Sequence, residues 1–192
     1  MVVSVDKLKS QIASQNQEAT ADFEAVFQAQ WSRVYGVIFR LVGDPAEAED
    51  LALETFCKLH QNPPRAGKNV PGWLYRVATN LGLNALRSRQ RREQYELQAG
   101  KISLAAASPA NPALVVEKLE AQRRVRQVLA KMKPRSAKIL ILRHTGFSYA
   151  EVAAAVGVKS KSIGTLLSRA EREFGRRYRA QERWRDVENE SR

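Results

Sequence analysis

Along almost the whole chain, apolar side chains recur at steps of three and four residues, and hardly any stretch alternates apolar with polar. Such a chain must fold as helices packed on helices, because each apolar stripe has to be buried against another. Phe23, Val26, Phe27, Trp31, Val34, Tyr35, Ile38 and Leu41 mark a long first helix that ends near Gly43. Asp44-Pro45 is the favoured order for a new helix start, an N-cap followed by a first-turn proline. That second helix turns Ala48, Leu51, Ala52, Thr55, Phe56 and Leu59 inward and stops before Pro63-Pro64, where proline forbids its continuation. The segment NPPRAGKNVPG (62–72) reads as a basic loop. A third helix begins near Pro71 and buries Trp73, Leu74, Val77, Ala78, Leu81 and Leu86. Its outer face carries Arg76, Asn80, Asn84 and Arg87, and Arg89, Arg91 and Arg92 extend it.

From Gln98 to Pro112 the periodicity fades into small residues, the mark of a linker. A second helical set follows over Leu114–Lys131, Pro134–His144, Tyr149–Val156 and Ser160 to about Gln181, before a charged tail from Glu182 that frays. The expected fold class is all-α, with two small helical domains, 1–97 and 113–192, joined by a flexible linker over 98–112. With 192 residues, 44% of them hydrophobic, the chain is long enough and apolar enough to fill two small cores.

Within the second set, Ser148 with Glu151 three residues later predicts a capping box. Ala150, Val152, Ala153 and Ala154 are small enough to admit a close neighbouring helix, and Gly157 suits a left-handed helix end. Ser160 or Ser162 then caps a helix with Ile163, Leu166 or Leu167, and Ala170 inward. That is the layout of a helix-turn-helix, whose second helix enters the DNA major groove. An ordinary helical hairpin would share much of the pattern; the basic flank of Lys159, Lys161, Arg169, Arg172, Arg176, Arg177 and Arg179 favours DNA.

Charge sharpens this. The net charge is +12, but residues 1–64 carry nine acidic and five basic side chains, a net of −4, leaving +16 on the remainder. A coat for nucleic acid has no use for an acidic N-terminal third, so two kinds of partner surface are expected. Glu47, Glu49, Asp50 and Glu54 form the acidic run, for which a merely solvated helix face is the plain alternative. The single cysteine, Cys57, excludes a disulfide framework and reads as a small packed residue. No apolar run reaches the roughly 20 residues of a membrane span, and the N-terminus lacks a signal-peptide core, which together point to the cytoplasm.

Taken in order, these stretches resemble the extracytoplasmic-function (ECF) type of RNA polymerase sigma factor, over about residues 20 to 180. GDPAEAEDLALETFCKL (43–59), WLYRVATN (73–80) and the basic ALRSRQRR that follows resemble the family's second region. MKPRSAKILILRHTGFSYAEVAAAVGVKSKSIGTLLSRAERE (132–173) resembles its fourth. The resemblance implies that Glu47, Glu49, Asp50 and Glu54 dock on core RNA polymerase, although Leu53 replaces a common glutamine. It implies that the 62–72 loop, with Arg65, Lys68 and Asn69, captures a base flipped from the minus-ten element. Arg76, Asn80, Asn84 and Arg87 would face that DNA, with Asn84 where aspartate is frequent. For the minus-thirty-five element it implies Lys159, Ser160, Lys161, Ser162 and Thr165 at the groove, with Arg143, Arg169 and Arg172 on phosphates and Arg135 near the backbone. Gly164 and Leu166 stand where relatives often have Lys and Arg. An anti-sigma factor is the further partner the family suggests.

Trp73 could stack on a base, but its spacing with Leu74, Val77 and Ala78 favours a core or domain-surface anchor. His60 and His144 have no ligand partners at metal spacing, no phosphate loop or nucleophile motif occurs, and neither metal nor cofactor nor catalysis is expected. The rival functions are a free-standing helix-turn-helix regulator, which needs neither the acidic helix nor WLYRVATN, and a nucleic-acid enzyme, for which no catalytic constellation is present.

Overall fold

A computed structural model of the chain describes residues 3–65, 69–98 and 112–190. All elements among them are helical: α1 (Val3–Val42), α2 (Pro45–Gln61), α3 (Val70–Gln98), α4 (Pro112–Lys131), α5 (Pro134–His144), α6 (Tyr149–Val156), a 3-10 turn (Ser160–Ser162) and α7 (Ile163–Glu190). The expected 98–112 linker lies almost wholly outside the described residues, as does Lys68.

The first three helices enclose one core. Val34, Val37, Ile38 and Leu41 of α1 meet Ala48, Ala52, Phe56 and Leu59 of α2 and Leu74, Tyr75, Ala78 and Leu83 of α3, all buried. Phe56, only 2% exposed, takes the Phe27 ring at 4.7 Å and the Trp31 ring at 6.0 Å. Burying one such ring is worth about 2–3 kcal/mol. α1 and α3 approach closely because Gly82 has no side chain: a Cβ there would lie 2.7 Å from Leu41 Cδ1. The loop to α2 is local chemistry, with the Asp44 carboxylate accepting from the Glu47 amide at 2.8 Å and Pro45 opening the helix.

The second set packs α5 on α7 and α6 on both. Ser148 and Glu151 form the capping box, and Gly157 ends α6 at φ 71°, with its amide and that of Val158 both donating to Ala153 O. The helix after Gly157 does not begin on a serine cap. Lys159 holds the N-cap position without a side-chain bond, and Ser160–Ser162 form a 3-10 turn before α7 proper. Cys57 also departs from expectation. It is exposed, because it follows Asp50 and Glu54 at helical spacing on the outer stripe of α2 rather than the inner one.

The two helical sets are packed on each other. The small face of α6 receives α3: a Cβ on Gly72 would stand 2.8 Å from the Ala154 Cβ. Tyr75 and Phe147 are fully buried across this seam, edge to face at 4.4 Å and 80°. The Arg33 guanidinium lies 4.2 Å from the Phe147 ring centroid and pairs with Glu151 at 2.6 Å.

Candidate nucleic-acid interface

α2 presents an outward stripe made of Asp50, Leu53, Glu54 and Cys57, at steps of three and four, with Glu49 beside it; all are exposed. Among the described residues Glu54 pairs with Lys58 of its own helix, at 3.1 Å. Glu47 is turned away from this stripe: it is half-buried and reaches Arg89 of α3 at 4.0 Å. Three of the four predicted acidic residues therefore share an open surface and the fourth braces α3.

On the basic side, Arg65 is exposed just after α2. Asn69 is exposed too, but its side-chain oxygen accepts from the Gly72 amide at 2.8 Å, so it holds the first turn of α3 in place. Arg76, Asn80 and Arg87 lie along one stripe of α3, and all three are engaged across the seam. Arg76 donates from Nε to Ala155 O at 3.0 Å and from Nη2 to Ala154 O at 3.2 Å, meeting the carbonyls at the end of α6. Arg87 repeats the arrangement at the end of α4, Nε to Ala130 O at 3.1 Å and Nη2 to Met132 O at 3.0 Å. Asn80 accepts from the Lys138 ammonium of α5. Arg89, two residues on, donates to Val42 O at 3.0 Å and so closes α1. Helix C-termini gather unpaired carbonyls and about half a unit of negative charge, which is what a guanidinium fork satisfies. Asn84 alone of the predicted α3 set is exposed with no side-chain bond among the described residues.

The seam is rich in cations. Lys138 is held below the ordinary lysine value, first by burial and then by the nearby Arg76 and Arg87 guanidiniums. A cavity of about 300 Å³ between α1, α3 and α4 is lined by Arg89, Arg123 and Arg126. Burial, followed by the charges of Arg89 and Arg123, likewise lowers Arg126. Glu151 is the counterweight: its bond to Arg33 is the largest cause of a carboxyl value of about 2, and the Ser148 cap adds to it.

α7 is different. Lys159, Ser160, Lys161, Thr165, Arg169 and Arg172 are exposed, with Ser162 half-buried. Among the described residues Arg172 bonds its own helix, at Ser168 O. Arg135 is exposed at the start of α5; Arg143 is exposed at its end, bonding Phe147 O at 3.0 Å beside the Tyr149 ring. A cationic surface built on a capped helix-turn-helix is suited to phosphates and groove edges. Trp73 is half-buried against the core, the anchor reading rather than a free stacking platform. Among the described residues no group of three or more His, Cys, Asp or Glu could hold a metal ion, and no helix is long and apolar enough to cross a membrane.

Sequence reasoning passed over Arg33, Tyr75, Phe147 and Lys138, the residues that join the two sets.

Residues 27–92 match the family described as Sigma-70 region 2, and residues 122–174 match Sigma-70, region 4. The ECF RNA polymerase sigma factor SigE of Mycolicibacterium smegmatis is 30% identical over 162 residues, covering 83% of this chain and 62% of the relative. The RNA polymerase sigma-H factor of Pseudomonas aeruginosa is 32% identical, covering 71% of this chain and 74% of the relative. In fold, the chain is similar to CnrH solved in complex with the cytosolic domain of CnrY, with a TM-score of 0.53, 19% identity, and coverage of 89% and 94% of the two chains.

Proposed function

Since the chain belongs to the ECF-type RNA polymerase sigma factors, we propose that it binds core RNA polymerase and directs promoter-specific initiation of transcription. On this reading residues 1–97 dock on core and engage the minus-ten element, and residues 113–192 read the minus-thirty-five element. The observation that carries it is the pairing, in one chain, of an open acidic stripe on α2 with cationic faces on α3 and α7. Asp50, Glu54 and Glu49 are the docking residues, with Glu47 acting through Arg89. Arg65, Lys68, Asn69, Arg76, Asn80, Asn84 and Arg87 serve the minus-ten element. Lys159, Ser160, Lys161, Ser162 and Thr165 serve the groove of the second element, with Arg135, Arg143, Arg169 and Arg172 on its phosphates. The chain itself catalyses nothing; polymerase makes the bonds, and the place of action is the cytoplasm. CnrH, the fold relative, was solved bound to another protein, which supports an anti-sigma factor as a third partner.

Transcription in vitro with purified core polymerase on a library of promoter fragments tests this. Promoter-dependent initiation is expected. Binding to DNA without any need for core would overturn it in favour of a free-standing regulator. Reversing Glu49 and Asp50 to lysine is expected to weaken core binding about tenfold, as loss of close charge pairs does. Unchanged affinity would remove α2 from the interface.

A further inference from the structure

We propose that the cavity between α1, α3 and α4 is a binding site for a small phosphate-bearing anion, held by Arg89, Arg123 and Arg126. The site lies apart from the acidic stripe of α2 and from the cations of α7. It does not depend on the promoter-binding reading above.

Charge is the first observation. Three guanidiniums line a cavity of about 300 Å³ in which Glu93 is the one lining carboxylate among the described residues. That carboxylate meets Arg123 at 3.5 Å. Arg89 is engaged through Nη1, on Val42 O at 3.0 Å and toward Glu47 at 4.0 Å. Arg126 meets no carboxylate among the described residues; burial and then the charges of Arg89 and Arg123 bear on it, and all of them disfavour its cation. An anion entering the cavity relieves the repulsion of three like charges and takes guanidinium edges that are otherwise open.

The second observation is that Arg126 is held in place. Its guanidinium lies on the bare backbone of Gly43, where a Cβ would stand 2.5 Å from Nη1 and 2.6 Å from Cζ. Gly43 is left-handed, at φ 77°, so the turn and the arginine both require glycine there. Such a buttress sets the planar fork before a ligand arrives and reduces the cost of ordering it. Gln127 adds a donor, because its amide oxygen accepts from Gln181 of α7 and leaves the NH2 group to the cavity. The third observation is size and lining. Small-molecule sites begin at roughly 300 Å³. Val42, Leu86 and Leu119 supply an apolar wall, which the ring of a nucleotide would cover and inorganic pyrophosphate would leave wet. A recess walled by three helices suits a free or terminal phosphate group rather than a continuous strand.

Thermal melts and calorimetric titration of the full chain with pyrophosphate and with ADP test the site, against sodium chloride at matched ionic strength. The tighter probe, at a hundredfold its Kd, should raise Tm by about 5 °C. Tighter binding of ADP assigns the apolar wall to a nucleotide ring, and equal affinity assigns the site to the inorganic anion. Arg126→Gln should weaken binding at least about tenfold, since it removes a charge-assisted fork. Arg176→Gln takes the same charge from an exposed position on α7, outside the cavity, and should change affinity less than about twofold. Equal losses in the two variants, or no change in Tm with either probe, would overturn the proposal. If its melt shows that Arg126→Gln does not fold, Arg123→Gln decides, because that side chain is 65% exposed. It should weaken the same probe about fivefold, and unchanged affinity would sink the assignment. A short DNA duplex that displaces the probe only when Arg126 is present gives the recess to the DNA backbone and overturns the small-anion site. Transcription with core polymerase reports on the sigma-factor reading alone, so the two readings fail separately.

Discussion

α3 and α7 carry the two cationic faces of the chain, and they differ in what those cations touch. On α7 the charged groups meet solvent or their own helix, as Arg172 meets Ser168 O. On α3 they close other helices: Arg76 closes α6, Arg87 closes α4 and Arg89 closes α1. A side chain facing water is ready to bind; one already satisfied must first be released. Equal charge on two surfaces thus does not mean equal readiness.

The largest expected effect comes from breaking the seam itself. Phe147→Ala removes a ring that is 1% exposed and packed on Tyr75, and should lower stability by about 3 kcal/mol in chemical denaturation. If the seam contributes little, the loss will be that of a half-exposed aromatic, under about 1 kcal/mol. A second contrast sharpens the difference between the helices. Arg76→Ala and Arg169→Ala should each reduce the salt dependence of promoter binding by about one phosphate contact. Arg169→Ala should nevertheless cost more affinity, because Arg76 already holds the Ala154 and Ala155 carbonyls and Arg169 is exposed. Equal losses measured across a salt series would erase the distinction.

Acid should act on the seam next. The Glu151 carboxyl, near 2 in the folded chain against 4.5 unperturbed, stabilises the ionised form. Its contribution is complete above about 4.5 and fades as pH falls toward about 2. An acid titration should therefore show the domains parting in that window, and Glu151→Gln should flatten the curve. The smallest effect expected is at Gly164, where an added Cβ would meet only Tyr149 Cε2 at 3.8 Å. Gly164→Ala should raise the melting stability of the α7 domain by about 0.5–1 kcal/mol and leave the seam unaffected.

Much of this was legible in the residues, and the division follows physical range. Asp44-Pro45, Ser148 with Glu151, and Gly157 act within one turn of backbone, so their spacing alone announces them. The inward faces of α1, α2 and α3 follow from helical period. What could not be read was the partner of a side chain whose acceptor is a distant main-chain carbonyl. Arg76 looks like any exposed helix arginine until α6 ends beside it. Glu151 declares its cap to Ser148, three residues away, but not its ion pair with Arg33, more than a hundred residues earlier. The serines ahead of α7 misled for a related reason: a 3-10 turn shifts the helix start by three residues and leaves no side-chain cap.

The carbonyls that hold Arg76 and Arg87 belong to the main chain, and this has a genetic consequence. Every amino acid supplies the same carbonyl, so simple replacements at Ala154, Ala155, Ala130 or Met132 leave the acceptors in place as long as their helices fold. The donors have no such protection, and one codon change deletes each guanidinium. A selection for chains whose two helical sets part more readily should therefore gather its hits asymmetrically. They should fall on the donors of α1 and α3, whereas replacements at the buried Ala130, Met132 and Ala155 act through packing and not through the carbonyls.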